Sequence, residues 1–229
     1  MAEKRNLNRQ ISAFYDDYHR ERVRQPDEWM LRHYWPSFVG RTLEVGGGTL
    51  HPQRRDYAIV DLSLEALRKA RTKAILGAVA DGTRLPFRTG AFDTVACHDV
   101  LEHVVDPESF MTEICRVARQ RIIIAGPNYN GGEQGNLDRR LIRWLFQFIT
   151  NPSSRIVQLE NPHLTFDEQW GPDRDAVTAP NAAWVADQMR RYGCCAVQVR
   201  TWEVSAHVLN AVPALRCLGP FMFVVGEKS

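Results

Sequence analysis

The chain has no long apolar run: no hydrophobic stretch approaches the roughly 20 residues that a bilayer-spanning helix needs. Its opening, MAEKRNLNRQ, is polar and lacks the apolar core of a secretory leader. Cysteine is sparse. Cys97, Cys115, Cys194, Cys195 and Cys217 are an odd number with no CxxC spacing, which argues against a disulfide framework or a zinc site. Charge of one sign is also lacking: 29 basic against 27 acidic residues leave a formal +2, too little to point to nucleic acid or an anionic membrane. The basic residues are mostly arginine and are scattered rather than clustered. These absences predict a cytoplasmic chain with reduced thiols and with neither a nucleic-acid nor a membrane partner. What remains is ordinary globular composition, 44% hydrophobic and 24% charged over 229 residues. It excludes disordered and collagen-like chains and suffices for one sizeable α/β core.

Apolar periodicity places the elements. Leu7, Ile11, Phe14, Tyr15 and Tyr18 form a helical stripe over 7–24, ended by Pro26, and Asp27 caps a second helix that Pro36 closes. The period then shortens. Strands are predicted at 41–45, 57–60, 78–80, 92–97 and 121–125, with helices between them capped by Ser63 and by Asp106-Pro107. About fifty residues without a strand signal follow, including an apolar helix near 137–149. A helix at 181–192 and strands at 196–204 and 221–225 finish the chain. Strands alternating with helices predict a doubly wound parallel sheet in one domain. It divides into a helical cap (1–40), a first half (41–128), an insert (129–180) and a C-terminal helix with strands (181–229).

The informative segment is Leu43-Glu-Val-Gly-Gly-Gly-Thr49. Glycines at the carboxyl end of a strand let a ligand approach the backbone, because no Cβ stands in the way. Ligands of open α/β sheets bind at that edge. Asp61 ends the next strand and can accept hydrogen bonds from both hydroxyls of a ribose, while Asp81 ends the third and can accept from an adenine amino group. A dinucleotide fingerprint would need glycine where His51 stands, and the GK[ST] of a phosphate loop is absent. An adenosine cofactor without phosphates fits best.

Glu44-Val-Gly-Gly-Gly48, Asp61-Leu-Ser63, Ala80-Asp-Gly-Thr-Arg-Leu-Pro-Phe87, Ala91-Phe-Asp-Thr-Val95, Asp99-Val-Leu-Glu-His-Val104 and Ile124-Ala-Gly-Pro-Asn128 occur in that order. In this ordered set the chain resembles the class I S-adenosylmethionine-dependent methyltransferases, over about residues 42–128. The resemblance implies a Rossmann-like seven-stranded sheet of order 3-2-1-4-5-7-6 with the last strand antiparallel. It implies S-adenosylmethionine as cofactor and S-adenosylhomocysteine as product. Glu44, Gly46, Gly47, Gly48, Asp61, Leu62, Asp81, Gly82, Thr83 and His98 would be the cofactor-binding residues. Gly46–Gly48 would flank the methionine part, Asp61 would hold the ribose and Asp81 would lie by the adenine.

One stretch departs from the family. Between Gly48 and Tyr57 only Thr49–Asp56 remain, short for a parallel crossover of at least about 10–12 residues with its helix. An arginine is expected to replace the missing helix terminus in holding the methionine carboxylate: Arg54, Arg55 or one from the N-terminal helices. Methyl transfer from a sulfonium is an in-line displacement, so the protein chiefly aligns the reactants and excludes water. A base matters only for an acceptor with a proton of high pKa. His98 and His163 are the candidate catalytic bases, each with an alternative as a loop or strand-end hydrogen-bonding group.

Phe14, Tyr15 and Tyr18 suggest either a lid over the cofactor or a helix packed on the sheet edge. Asp99, Asn128 and the acidic residues around Trp170 raise a magnesium reading, but charge runs are usually solvated, and no metal is expected. The reading reached is methyl transfer to a small-molecule acceptor such as a secondary metabolite, quinone or sugar, with oxygen slightly favoured. A cofactor-binding, non-methylating partner protein on the same fold is the alternative.

Overall fold

The computed structural model describes residues 2–21, 25–49, 52, 54–71, 76–128, 157–158, 178–202, 211 and 221–229. Its frame is a seven-stranded sheet. In chain order come α1 (Ala2–Glu21), β1 (Thr42–Val45), β2 (Tyr57–Asp61), α2 (Leu64–Arg71), β3 (Leu76–Val79), β4 (Phe92–His98), α3 (Pro107–Val117) and β5 (Ala118–Pro127). A two-residue pair, β6 (Val157–Gln158) with β7 (Thr178–Ala179), is followed by α4 (Ala182–Arg191), β8 (Cys194–Trp202) and β9 (Phe221–Lys228). The sheet order is β3-β2-β1-β4-β5-β9-β8. Pairs among β1–β5 are parallel, whereas β9 runs antiparallel to both β5 and β8. Counting β8 and β9 as the sixth and seventh sheet strands gives the expected order, with the last strand reversed.

Alternation along the strands builds two cores, one on each face. Leu43, Val45, Val95, Cys97, Ile122 and Ile124 pack beneath Phe110, Met111 and Ile114 of α3 and Trp184, Val185 and Met189 of α4. The other face sets Tyr57, Ile59, Ala96, Ile123, Ala125 and Phe223 against Met30, Tyr34, Phe38 and the α2 residues Leu67 and Ala70. Both faces of the central strands are covered, which is why Arg121-Ile-Ile-Ile-Ala125 reads as nearly continuous apolar sequence.

Side chains start the helices where local sequence says they should. Ser63 Oγ accepts from the Ala66 amide at 3.0 Å, Asp106 from Ser109 at 3.2 Å, and Asn181 from Trp184 at 2.9 Å. Asp27 caps its segment through the Met30 amide at 2.7 Å. That segment differs from the simple helix expected: a π turn over Met30–Tyr34 runs into a 3₁₀ turn over Trp35–Ser37. Pro36 opens the tighter turn, where its missing amide costs nothing, instead of ending the helix.

Two further differences are instructive. β5 starts at Ala118 rather than Arg121, because its pairing with β4 reaches back to Ala118 opposite Phe92, before the apolar run begins. The insert, expected to lack strands, contributes the β6–β7 ladder, and Thr178 anchors it by donating to the Leu101 carbonyl at 3.0 Å. The apolar helix expected near 137–149 lies outside the described residues.

Candidate functional site

The carboxyl ends of β1, β2 and β3 bring the glycine turn, Asp61 and Asp81 to one edge of the sheet. Gly46 leaves β1 with φ +72°, and its amide bonds the Val60 carbonyl at 2.7 Å. A Cβ there would stand 2.4 Å from Val100 Cγ2, so this position needs glycine for both conformation and space. Gly48 also has a positive φ, +55°. Its amide donates to Asp61 Oδ2 at 2.9 Å, and the Ser63 amide donates to Oδ1 at 2.8 Å. Asp61 therefore ties the turn after β1 to the end of β2. It is 8% exposed, and burial pushes its carboxyl up to about 6, against the opposing pull of the Ser63 and Gly48 amides. Each carboxylate oxygen has a second lone pair for a ligand.

Asp81 is built the same way one strand further out. Thr83 donates to its Oδ1 from both amide and hydroxyl, each at 2.8 Å, and Asn8 Nδ2 donates to Oδ2 at 2.8 Å. Gly82 backs this turn against Phe110. Leu62 joins a small cluster with Ile11, Tyr15 and Val105.

Glu44 is not brought to this surface. Its carboxylate is 2% exposed and bonded by the hydroxyls of Tyr57 and Tyr34, the latter at 2.9 Å. Burial raises it to about 7, although both tyrosines pull the other way. It braces β1 against the cap segment. Arg54 corrects a second expectation. It pairs with Asp56 at 2.6 Å and donates to the carbonyls of Gly40 at 2.8 Å and Phe38 at 3.3 Å. Gly40 and Phe38 precede β1, so Arg54 serves the amino edge of the sheet, opposite the glycine turn.

His98 ends β4 beneath aromatic cover. Trp29 stacks on it with ring centroids 5.8 Å apart, Tyr34 lies at 5.2 Å, and its side chain is 8% exposed. Nδ1 is 3.5 Å from Asp99 Oδ2, and Asp99 has a positive φ of +52°. His163 lies outside the described residues. Asn128 caps α4, accepting from the Ala182 amide at 2.9 Å. Among the described residues no three His, Cys, Asp or Glu side chains converge on a metal position, and no helix is long and apolar enough to cross a membrane.

Sequence reasoning missed the polar face of α1. Asn8 reaches Asp81, Ser12 Oγ donates to the Leu62 carbonyl at 3.0 Å, and Asp16 accepts from Ser63 Oγ at 2.8 Å and the Glu65 amide at 3.1 Å. His19, 6% exposed, lies on the glycine turn: its Cε1 is 3.1 Å from where a Cβ on Gly48 would stand. The spacing 8, 12, 16, 19 puts these residues on one face of a helix but does not say that this face meets the sheet. The polar face was hidden by the apolar stripe on the neighbouring face.

The comparisons with known proteins agree with the fold. Residues 43–124 match the model of the methyltransferase domain family. A S-adenosylmethionine-dependent methyltransferase of Thermotoga maritima, described as a possible histamine N-methyltransferase, aligns over 96% of this chain and 98% of its own, with TM-score 0.54 and 16% identity. A S-adenosylmethionine-dependent methyltransferase of Mesorhizobium loti covers 88% of this chain and 97% of its own, with TM-score 0.55 and 16% identity. The magnesium protoporphyrin IX methyltransferase of Synechocystis PCC 6803, solved with S-adenosylhomocysteine, covers 97% and 100%, with TM-score 0.54 and 10% identity. Likeness at such identities is one of fold, and no curated protein matches at the level of sequence. Residues 43–124 thus match a methyltransferase domain, and the chain has the fold of the class I S-adenosylmethionine-dependent methyltransferases.

Proposed function

We propose that the chain binds S-adenosylmethionine across the carboxyl ends of β1–β3 and transfers its methyl group to a small-molecule acceptor in the cytoplasm. The observation that carries the reading is the buried Asp61 carboxylate, fixed by the Gly48 and Ser63 amides at the edge where open α/β sheets take ligands. Asp61 accepts from the ribose hydroxyls through its remaining lone pairs. Asp81, held by Thr83, serves the adenine amino group, with Gly82 and Leu62 shaping the backbone beside it. Gly46–Gly48 leave room for the methionine part. The bound cofactor supplies an activated methyl group and its own leaving group, so the chain's task is alignment and exclusion of water.

Support for a small acceptor comes from the formal charge of +2 and from the aromatic cover that Trp29 and Tyr34 place at the end of β4. The neighbour acting on magnesium protoporphyrin IX and the possible histamine methyltransferase point the same way. An oxygen acceptor is favoured, with His98 or His163 taking the proton. Calorimetric titration with S-adenosylmethionine and S-adenosylhomocysteine tests the cofactor site. Wild type is expected to bind both, and Asp61→Ala to weaken binding at least about tenfold, as for the loss of charge-assisted hydrogen bonds. A folded wild-type protein that binds neither sinks the proposal. Binding without S-adenosylhomocysteine formation on an oxygen-, nitrogen- or carbon-acceptor panel would favour a non-methylating partner protein.

A further inference from the structure

Among the described residues, no helix terminus stands beside the glycine turn to hold an amino-acid carboxylate. None of the described residues between Gly48 and Tyr57 is helical, and the connection is too short for a crossover helix whose amino-terminal amides would face that carboxylate. Arg54, the nearest alternative cation in sequence, is committed to Asp56 and to the carbonyls before β1.

What does stand over the turn is α1. Its polar face follows the sheet edge strand by strand: Asn8 at Asp81 after β3, Ser12 at Leu62 and Asp16 at Ser63 after β2, and His19 at Gly48 after β1. Asn8 to His19 is about 16 Å along a helix axis, against roughly 10 Å for the three strand ends it crosses. One helix therefore reaches from the adenine end of the edge to the glycine turn. The His19 ring is buried and wedged by Tyr15, stacked at 6.2 Å, and Tyr18, edge-on at 5.0 Å. Its Nε2 lies 3.5 Å from the place of a Gly48 Cβ, close enough that a methyl on that glycine would crowd the ring.

We infer that α1 completes the cofactor site and that His19 is the residue that donates an N–H to the amino-acid carboxylate of the cofactor, in place of the missing helix terminus. The inference rests on the cofactor reading above and deepens it. α1 is then part of the binding surface, and the contrast between its two ends is testable. Asn8 faces the adenosine end, and His19 faces the amino-acid end alone.

The test compares two ligands that differ only at that end: S-adenosylhomocysteine, and 5′-methylthioadenosine, which lacks the amino-acid group. Both are titrated calorimetrically into wild type, His19→Ala and His19→Gln. The expected result is about a 10- to 100-fold loss of S-adenosylhomocysteine affinity in His19→Ala. Methylthioadenosine binding should stay within about twofold, and His19→Gln, which keeps an N–H donor, should fall between. Retained methylthioadenosine binding also shows that the variant is folded. An undiminished affinity for S-adenosylhomocysteine, or equal losses for both ligands in a variant whose circular dichroism is unchanged, overturns the assignment. Should His19→Ala fail to fold, the same comparison on His19→Gln decides: equal losses for both ligands, or none, overturn it. Wild type binding neither ligand would instead bring down the cofactor reading itself, and this assignment with it.

Discussion

Asp61 shows how one side chain ties two turns together at the edge of a sheet. A carboxylate buried at the end of a strand is expensive unless hydrogen-bonded, and here two backbone amides from different turns meet it. One of these bonds holds Gly48 in its left-handed conformation, so the turn proposed to face the cofactor is shaped by the protein itself. Gly46 is required by the protein's own packing as well. Gly46→Ala would force an L side chain to φ +72° and press its Cβ into Val100. The expected cost is about 2–3 kcal/mol, read as a lower denaturant midpoint. An unchanged midpoint would mean that the turn relaxes freely. Spacing alone revealed that glycine was needed here, but Val100 as the reason emerges only when β4 is laid beside β1.

The elements were legible wherever their own residues define them. Asp106-Pro107 and Ser63 cap the helices that follow them because a cap is a local contact between residues three apart. Asp106→Ala is expected to destabilise the protein by about 1 kcal/mol through loss of the α3 cap, seen as a fall in melting temperature without a change in fold. A shift near zero would show the Ser109 amide finding water instead. Edge and insert strands were less legible. β6 and β7 are two residues each and depend on partners some twenty positions apart, so no periodicity marks them. The cap segment misled for another reason. Pro36 signals a break in sequence, yet packing of Tyr34 and Phe38 on the sheet carries the chain through it as a 3₁₀ turn. α1 was visible as a helix, but whether its aromatic stripe or its polar face met the edge was not, since both satisfy the same period.

Across the whole molecule, the two cores meet their polar neighbours at Glu44, and this sets a pH dependence of stability. Burial raises its folded value to about 7 from an ordinary 4.5, despite the two tyrosine bonds. Between those values the folded protein keeps a proton that the unfolded chain has lost. Stability from this group therefore falls as pH rises from about 4.5 to about 7 and is level above. Glu44→Gln, neutral at every pH and still able to meet Tyr34 and Tyr57, should remove that slope. Relative to wild type, the variant is expected to gain stability as pH rises from 4.5 to 7.5, by at most about 3 kcal/mol. Urea titrations at the two pH values measure it, and parallel behaviour of the two proteins would contradict a buried neutral Glu44.

Local sequence was enough for the order of strands and helices, the glycine turn and the two aspartates after it, because each is written in contiguous residues with a period or a turn chemistry of its own. It also carried the resemblance that led to the fold, through six short motifs in a single order. The uses of side chains across the sheet were a different matter. Glu44 stands next to the glycines in sequence yet turns to Tyr34 and Tyr57, since successive residues of a strand face opposite sides. Arg54 lies in the shortened connection yet reaches the far edge of the sheet. Asn8 and His19, which carry no motif, arrive at Asp81 and Gly48 because α1 folds back over strands some thirty to seventy residues away. Contacts of that kind are chosen by the packing of whole elements, and no local pattern in the chain encodes them.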